Sequence, residues 1–431
     1  MRTHFLPTGI FLLLLLVSCK DGADKETATV TAFVGADIID GTGSDPIRNG
    51  VLLISDGRVL SVGSVSQVEV PEGAGVIDVS GKTIIPGIIN AHGHVGDVKG
   101  IEPGHYSAEN IQDQLELYAR YGVTTVVSLG DDRSEAEPFR AAIDTSASPG
   151  RARLYIAGTV VSGTTPEDAV AMVDENMRMG VDFMKIRVDD NLGSGTKMSE
   201  EVYRAVIDRS HEHGIRLAAH MYYLEDAKAL LRSGADFIAH SVRDVAVDSS
   251  LIRLLKERNV CYCPTLTRDL STFVYGEIPD FFEDPFFLRE VDTAILQPLK
   301  DPQRRLQVRQ SRSAQTYKQG LQWALKNLKT LSDSGVVIAF GTDSGVSGRF
   351  QGYFEHLEME LMAEAGLSPM EILTSATGSA ASCLDLKDVG TLEPGKLADF
   401  VVLDKDPVAD ITNTRGISSV WIGGKSVSDN W

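Results

Sequence analysis

The chain is predicted to be an α/β protein: a (β/α)8 TIM barrel joined to a small β-sandwich-like domain built from both chain ends. Three observations lead there. Short β-rich runs separated by turn signals fill residues 29–85 and recur over 390–431, and the stretch between them alternates strand-like runs with helical periodicity. Within that middle stretch, residues 86–389, eight strand candidates can be counted, which makes a closed barrel the economical arrangement.

The first 18 residues read as an export signal and not as fold. Arg2 supplies a positive start, and Phe5 to Val17 is apolar but too short to span a bilayer as a helix. The ending Leu16-Val17-Ser18-Cys19 resembles a bacterial lipobox, which implies cleavage before Cys19, acylation of that residue and a mature chain held on a membrane by lipid. Residues 19–28 then form a solvated tether. The anchor puts the expected location at the periplasmic face or the cell surface; Lys20-Asp21 is similar to surface-export signals of some Gram-negative lipoproteins but does not choose between the two. The alternative is an ordinary secreted signal with a chance cysteine.

Composition narrows the classes. About 400 residues remain after the tether, enough for a sizeable core. With 60 Asp+Glu against 41 Lys+Arg, the net charge of -19 argues against nucleic acid and against electrostatic binding to an anionic surface. Of four cysteines, Cys19 is assigned to lipidation. Cys261, Cys263 and Cys383 are odd in number and lack framework spacing, so the expectation is a fold without structural disulfides. Cys261 and Cys263 read as apolar packing in a strand.

The strands of the β domain are expected at Val30 to Val34, Gly50 to Ile54 with the Asp56-Gly57 turn, Val59 to Val62, Asp399 to Leu403 and Ser418 to Ile422. The barrel strands are expected at Ile88 to His92, Thr124 to Ser128, Arg153 to Ala157, Asp182 to Val188, Arg216 to His220, Asp236 to His240, Asn259 to Cys263 and Val336 to Gly341. Helical periodicity separates most of them, as in Ser199 to His213 and Glu225 to Ser233.

Chemistry in such barrels gathers at the C-terminal strand ends. Here those ends are polar and of one kind. Strand one closes on His92 and His94, strand four carries Lys185, strands five and six end in His220 and His240, and strand eight runs into Asp343. The pair His92 and His94 lies on one face of an extended chain, placed to grip one ion. His4 lies in the signal, whereas His105, His211, His213 and His356 fall in loops or helices where a solvated or capping role is the default. Four buried histidines that merely satisfy the core are the competing explanation.

These residues, in this order and strand placement, resemble the amidohydrolase superfamily. The motifs Ala218-Ala219-His220-Met221-Tyr222, Ala235 to His240 and Leu392 to Phe400 are similar to the branch holding imidazolonepropionases and metal-dependent Xaa-Pro dipeptidases or carboxypeptidases. The resemblance implies two divalent ions, zinc or another first-row metal: His92, His94 and Asp343 on one, His220 and His240 on the other, with Lys185 bridging as its carbamate after reaction with carbon dioxide. Imidazole and carboxylate suit such metals, and an ammonium cannot ligate until it is neutralised. A centre of this type lowers the pKa of bound water toward about 7 and polarises a carbonyl. Asp343 is then the acid/base group. A surface or ion-pairing role is the alternative for Lys185.

Substrate contacts are expected from Tyr222, which matches a tyrosine used near the substrate by peptidase-like members, and from Arg187 and Arg243 as carboxylate clamps. Tyr222 equally suits packing, and the arginines equally suit pairing with Asp189 and Asp244. Two departures mark a changed pocket. The loop Gly158 to Pro166 lacks the Gly-Gly-His-like pattern of that branch, and Val95 stands where imidazolonepropionases carry a basic residue. Residues 265–320 form a long connection rich in aromatics (Phe273, Tyr275, Phe281, Phe282, Phe286, Phe287), either a lid over the metals or a helical subdomain packed on itself. The expected function is metal-dependent hydrolysis of a C–N amide bond in a small N-acyl amino acid or dipeptide-like molecule. A lactone or cyclic-amide hydrolase is the alternative, and a non-catalytic ligand-binding lipoprotein is the alternative of another class.

Overall fold

The computed structural model describes Met1, residues 30–142 and residues 150–427; the signal segment, Cys19 and the tether lie outside the described residues. No helix among the described residues is long and apolar enough to cross a membrane.

The chain opens with strands β1 (Thr31–Ile38), β2 (Ile47–Ser55) and β3 (Arg58–Ser64), paired antiparallel in sequence. Between β2 and β3, Asp56 and Gly57 take positive φ values of 52° and 76°. That is the left-handed pair a two-residue hairpin turn demands, and Asp-Gly is well suited to it. Strands β4 (Gly75–Asp78) and β5 (Thr83–Pro86) then run parallel to β1.

The barrel follows. Strands β6 (Ile88–Gly93), β7 (Val123–Ser128) and β8 (Arg153–Ile156) form one parallel sheet. Strands β9 (Phe183–Val188), β10 (Arg216–Met221), β11 (Phe237–Ala239) and β12 (Cys261–Cys263) form another. Backbone hydrogen bonds join the two sheets on one side, where Asp182 N donates to Ile156 O and Val161 N to Lys185 O, each at 2.8 Å.

On the other side the expected eighth strand, Val336 to Gly341, is not a regular strand, yet it is bonded to both neighbours. Tyr262 N donates to Val337 O and Ala339 N to Tyr262 O at 3.0 Å, and Ala91 N donates to Phe340 O at 2.9 Å. A Cβ at Gly341 would stand 2.6 Å from Cys263 Sγ and 2.9 Å from His92 N, so the backbone passes closer to its neighbours than a pleated side-chain-bearing strand allows.

A buried polar knot holds this junction. Asn90 Nδ2 and the hydroxyls of Thr342 and Ser344 all donate to Glu355 Oε1, at 2.6, 2.7 and 2.6 Å, while Asn90 Oδ1 accepts from His92 N at 3.0 Å. One carboxylate oxygen thereby ties the first strand to the eighth segment.

Strands β13 (Phe400–Leu403), β14 (Ile417–Ile422) and β15 (Lys425–Ser426) return the chain to the first sheet, with β13 antiparallel to β5. Strands from both chain ends therefore share one sheet of eight. The apolar face is fixed by Phe33, whose ring centroid lies 4.9 Å from Phe400 and 4.8 Å from Trp421. The sheet is pinned to the barrel by Arg153 and Asp399, both buried, through bonds of 2.7 and 3.0 Å.

Two expectations, on the cysteines and on His356, are corrected here, and the alternatives for residues 265–320 are narrowed. Cys261 and Cys383 form a disulfide across 122 residues, with Cα atoms 5.9 Å apart. Their spacing carries no framework signature because strand β12 and the helix Gly378–Leu384 meet only through the barrel. Cys263 stays free and buried. The aromatics of residues 265–320 do not form a wall over the strand ends. Phe281, Phe282 and Phe287 pack together with Tyr275 and onto Phe350, Tyr353 and Phe354 of the neighbouring segment, where Phe282 and Phe287 are buried and Phe281 is partly buried. His356 is neither solvated nor a cap: it is buried, its Nε2 donating to Tyr121 O at 2.9 Å and its Nδ1 meeting the Thr414 hydroxyl at 3.0 Å.

Candidate active site

Six side chains named from the strand ends line one cavity of about 440 Å³: His92, His94, Lys185, His220, His240 and Asp343. The period-two alternation of β6 and the parallel register of β9, β10 and β11 turn them to one mouth. Lys185 Nζ sits 3.2 Å from His92 Nε2, Asp343 Oδ1 lies 2.8 Å from His94 Nε2 and 3.6 Å from His92 Nε2, and the His240 ring centroid is 4.6 Å from that of His92 and 4.3 Å from that of His220.

The fold occupies one nitrogen on most of these rings and leaves the other. His94 Nδ1 donates to Gly130 O at 3.2 Å, His220 Nε2 donates to Asp189 Oδ2 at 2.5 Å, and His240 Nδ1 meets Thr265 Oγ1 at 2.7 Å. His220 Nδ1 and His240 Nε2 remain as lone-pair donors, while His94 Nε2 meets Asp343 Oδ1 at 2.8 Å. This is how ligating imidazoles are oriented from behind. Backbone conformation contributes as well: His240, Thr265 and Asp343 hold left-handed φ values of 83°, 48° and 59°, which side-chain-bearing residues adopt at a cost that rigid surroundings must support.

Burial leaves most of the rings neutral and Asp343 ionised. Burial drives His92 and His240 well below the usual histidine value and takes His220 to about 3, so these rings are neutral lone-pair donors. Burial also lowers His94, but the bond to Asp343 outweighs it and leaves that ring raised. Burial pushes Lys185 down to about 8. Burial opposes ionisation of Asp343, yet Arg349 and His94 hold it well below the carboxylate range. His92, His94 and Asp343 bring donor atoms within 4.8 Å of one another, and His92 Nδ1 is buried without a hydrogen-bond partner. A set of neutral imidazoles facing an ionised carboxylate fits a divalent first-row ion.

Residues 83–427 match the amidohydrolase family, more than half of the chain. The chain belongs to the amidohydrolase family. Among relatives of this amidohydrolase, a 5-methylthioadenosine/S-adenosylhomocysteine deaminase of Bacillus cereus is 25% identical over 445 residues, covering 93% of this chain and 92% of its own. In structure it is similar to a putative prolidase from Bifidobacterium longum (TM-score 0.75, 25% identity, 93% of this chain and 95% of the other). A Xaa-Pro dipeptidase with bound methionine shares the fold with TM-score 0.71 at 22% identity, covering 92% of this chain and 99% of the other. The family and these neighbours bear out the barrel with a β domain, the dipeptidase-like branch and hydrolysis at carbon–nitrogen bonds as the activity class.

Of the three expected substrate contacts, Arg187 lines the cavity of the six and Tyr222 and Arg243 do not. Tyr222 is buried beside Arg243, whose guanidinium lies 4.8 Å from its ring centroid, and it borders a separate cavity with Tyr223 and Trp323. It does not line the cavity of the six. Arg243 is sealed at 0% exposure; it donates to Asp269 Oδ1 at 2.7 Å and to Met221 O at 2.6 Å, and its ion-pair partner is Asp269, not Asp244. A guanidinium with those partners is spent on structure. Arg187 reaches the cavity, half-exposed, while donating to Asp189 at 3.1 Å.

Two arginines that sequence reasoning missed line the cavity instead: Arg268 and Arg349. Arg349 donates to Asp343, and Arg268 Nε lies 4.0 Å from the same carboxylate. They stand in loop and short-helix segments without periodicity, so no spacing announced them.

Proposed function

We propose that this amidohydrolase is a binuclear metal-dependent enzyme that cleaves the amide bond of a small N-acyl amino acid or dipeptide-like compound. One observation carries the reading: a buried lysine, Lys185, stands 3.2 Å from His92 in the same cavity as the other three strand-end histidines and Asp343. An ammonium serves no purpose among ligands, whereas the neutral amine that burial makes accessible reacts with carbon dioxide to give a two-oxygen anion that suits a bridge. His92, His94 and Asp343 would hold one ion, His220 and His240 the other, and the Lys185 carbamate both.

Such ions, zinc in our reading, supply activation of water and polarisation of the scissile carbonyl when bound. The chain's own residues do the rest. Asp343 takes the proton of the attacking water and hands it to the departing nitrogen, Asp189 and Thr265 keep the His220 and His240 rings in place, and the apolar side chains Val95, Val98, Leu129 and Val160 line the same cavity and limit bulk water there. A cavity of about 440 Å³ suits a small substrate.

Consumption of a panel of N-acyl amino acids, dipeptides, lactones and methylthioadenosine, followed by mass spectrometry, tests this. The proposal expects amide turnover that a chelator abolishes and divalent metal restores. Turnover of lactones alone would support the cyclic-ester alternative, and bound metal with no turnover would favour the non-catalytic binder. The mature chain is further proposed to be tethered to a membrane through lipid on Cys19; the Cys261–Cys383 disulfide supports export, since disulfides persist in oxidising compartments. Cys19→Ser should then shift the protein from the membrane pellet to the soluble fraction.

A further inference from the structure

We infer that Arg268 and Arg349 form a clamp for a carboxylate of the substrate, which restricts this enzyme to amides bearing a free acid group close to the scissile bond. The inference rests on the hydrolase reading above and assigns the specificity of that same cavity. Both side chains are nearly sealed, 10% and 14% exposed, and both line the cavity that holds the six ligand candidates.

Their charges are not matched by the protein alone. Asp269 accepts from Arg243 at 2.7 Å and from Arg268 at 3.1 Å, and Asp343 accepts from Arg349 and from His94. Three buried guanidiniums therefore share two carboxylates, and one of those two belongs to the candidate metal site. The other buried acids nearby are already engaged. Glu358 accepts from Leu266 N, Thr267 N and the Thr267 hydroxyl, each at 2.7 Å, and Glu355 accepts from Asn90, Thr342 and Ser344. A buried cation whose partner is drawn elsewhere is costly until another anion arrives.

The remaining contacts orient the two forks without neutralising them. Arg349 Nε donates to Ser271 Oγ at 2.9 Å, and that hydroxyl donates to Arg268 O at 2.7 Å, linking the two residues through one serine. Arg268 also lies 4.2 Å over the Tyr317 ring, which fixes its plane. Two planar donors fixed side by side next to the reacting centre match the two oxygens of a carboxylate. Arg243 and Arg187 differ: the first is sealed from the cavity, and the second is held at its mouth by Asp189.

Calorimetric titration of the purified protein with N-acetyl-L-phenylalanine and with its carboxamide reads the clamp without turnover. The acid is expected to bind about 10- to 100-fold tighter than the carboxamide, with Arg268→Gln and Arg349→Gln each cutting that ratio by about tenfold. Arg268→Lys and Arg349→Lys keep the charge but lose the fork, and should fall between; they also serve where a glutamine variant fails to melt cooperatively. In turnover, the acid-to-carboxamide ratio of kcat/KM should fall in parallel. Equal binding of acid and carboxamide by the wild type, or a ratio unchanged in folded variants of both arginines, overturns the inference. Absence of all amide turnover with the binding ratio intact would strike the hydrolase reading and leave the clamp standing; neutral amides cleaved as readily as acids would do the reverse.

Discussion

The two walls of the active-site cavity are built on different principles. The histidine wall comes from the ends of β6, β10 and β11, with Lys185 from β9, and most of its rings have one nitrogen fixed by a backbone carbonyl, a carboxylate or a hydroxyl behind it. The arginine wall comes from the short helix Leu266–Ser271 and the segment after Asp343, and its charges are satisfied only by sharing. Strands fix the geometry that metal chemistry needs, while the less regular segments carry charges left over for a ligand. The contrast between Arg243 and Arg349 makes the point within one residue type. The first is fully sealed with Asp269, and the second shares a carboxylate that the histidines also claim.

Variants can break that contrast in order of expected effect. Asp343→Asn should reduce kcat by about 10²- to 10⁴-fold while the protein melts normally, because it removes a proton acceptor from a preserved frame; steady-state kinetics beside a thermal melt checks it. Arg243→Ala should destabilise the fold by about 3–5 kcal/mol in a denaturant titration, since it leaves Asp269 buried with a single cation.

Phe287→Ala opens a cavity in the aromatic cluster and should cost about 3–5 kcal/mol as well, with KM unaltered, because that ring does not line the active-site cavity. Measured together, the last two separate structural burial from substrate binding.

The last effect is a pH dependence. His356, away from the cavity, is held neutral by burial at a pKa of about 3, while an unfolded histidine titrates near 6.5. The unfolded state therefore binds more protons than the folded one between these values, and the stability contribution is lost as pH falls from about 6.5 toward about 3. Melting temperature across this range should flatten in His356→Gln relative to wild type; identical slopes would contradict the assignment.

The parts legible in the sequence are those with periodicity. Seven of the barrel strands and their polar ends follow from alternation and from the helices between them, and the Asp56-Gly57 hairpin from turn chemistry. The eighth strand reads as regular because Val336 to Gly341 is apolar, yet it joins its neighbour through an isolated bridge at Ile338 and not a regular ladder. What sequence reasoning missed is non-local. The Cys261–Cys383 bond, the Asn90–Glu355 knot and the guanidiniums of Arg268 and Arg349 depend on residues brought together from distant segments without a spacing rule. Tyr222 and Arg243 follow strand-end histidines as the expected substrate contacts do, but Tyr222 borders the neighbouring cavity and Arg243 turns to Asp269.

Metal analysis of the purified protein beside its Lys185→Ala variant tests the central claim most directly. The account predicts two divalent ions per chain in the wild type and a loss of at least one in the variant, restored in a Lys185→Ala sample by a short added carboxylate. A wild-type chain that binds no ion, or one whose metal content does not respond to loss of Lys185, would contradict it.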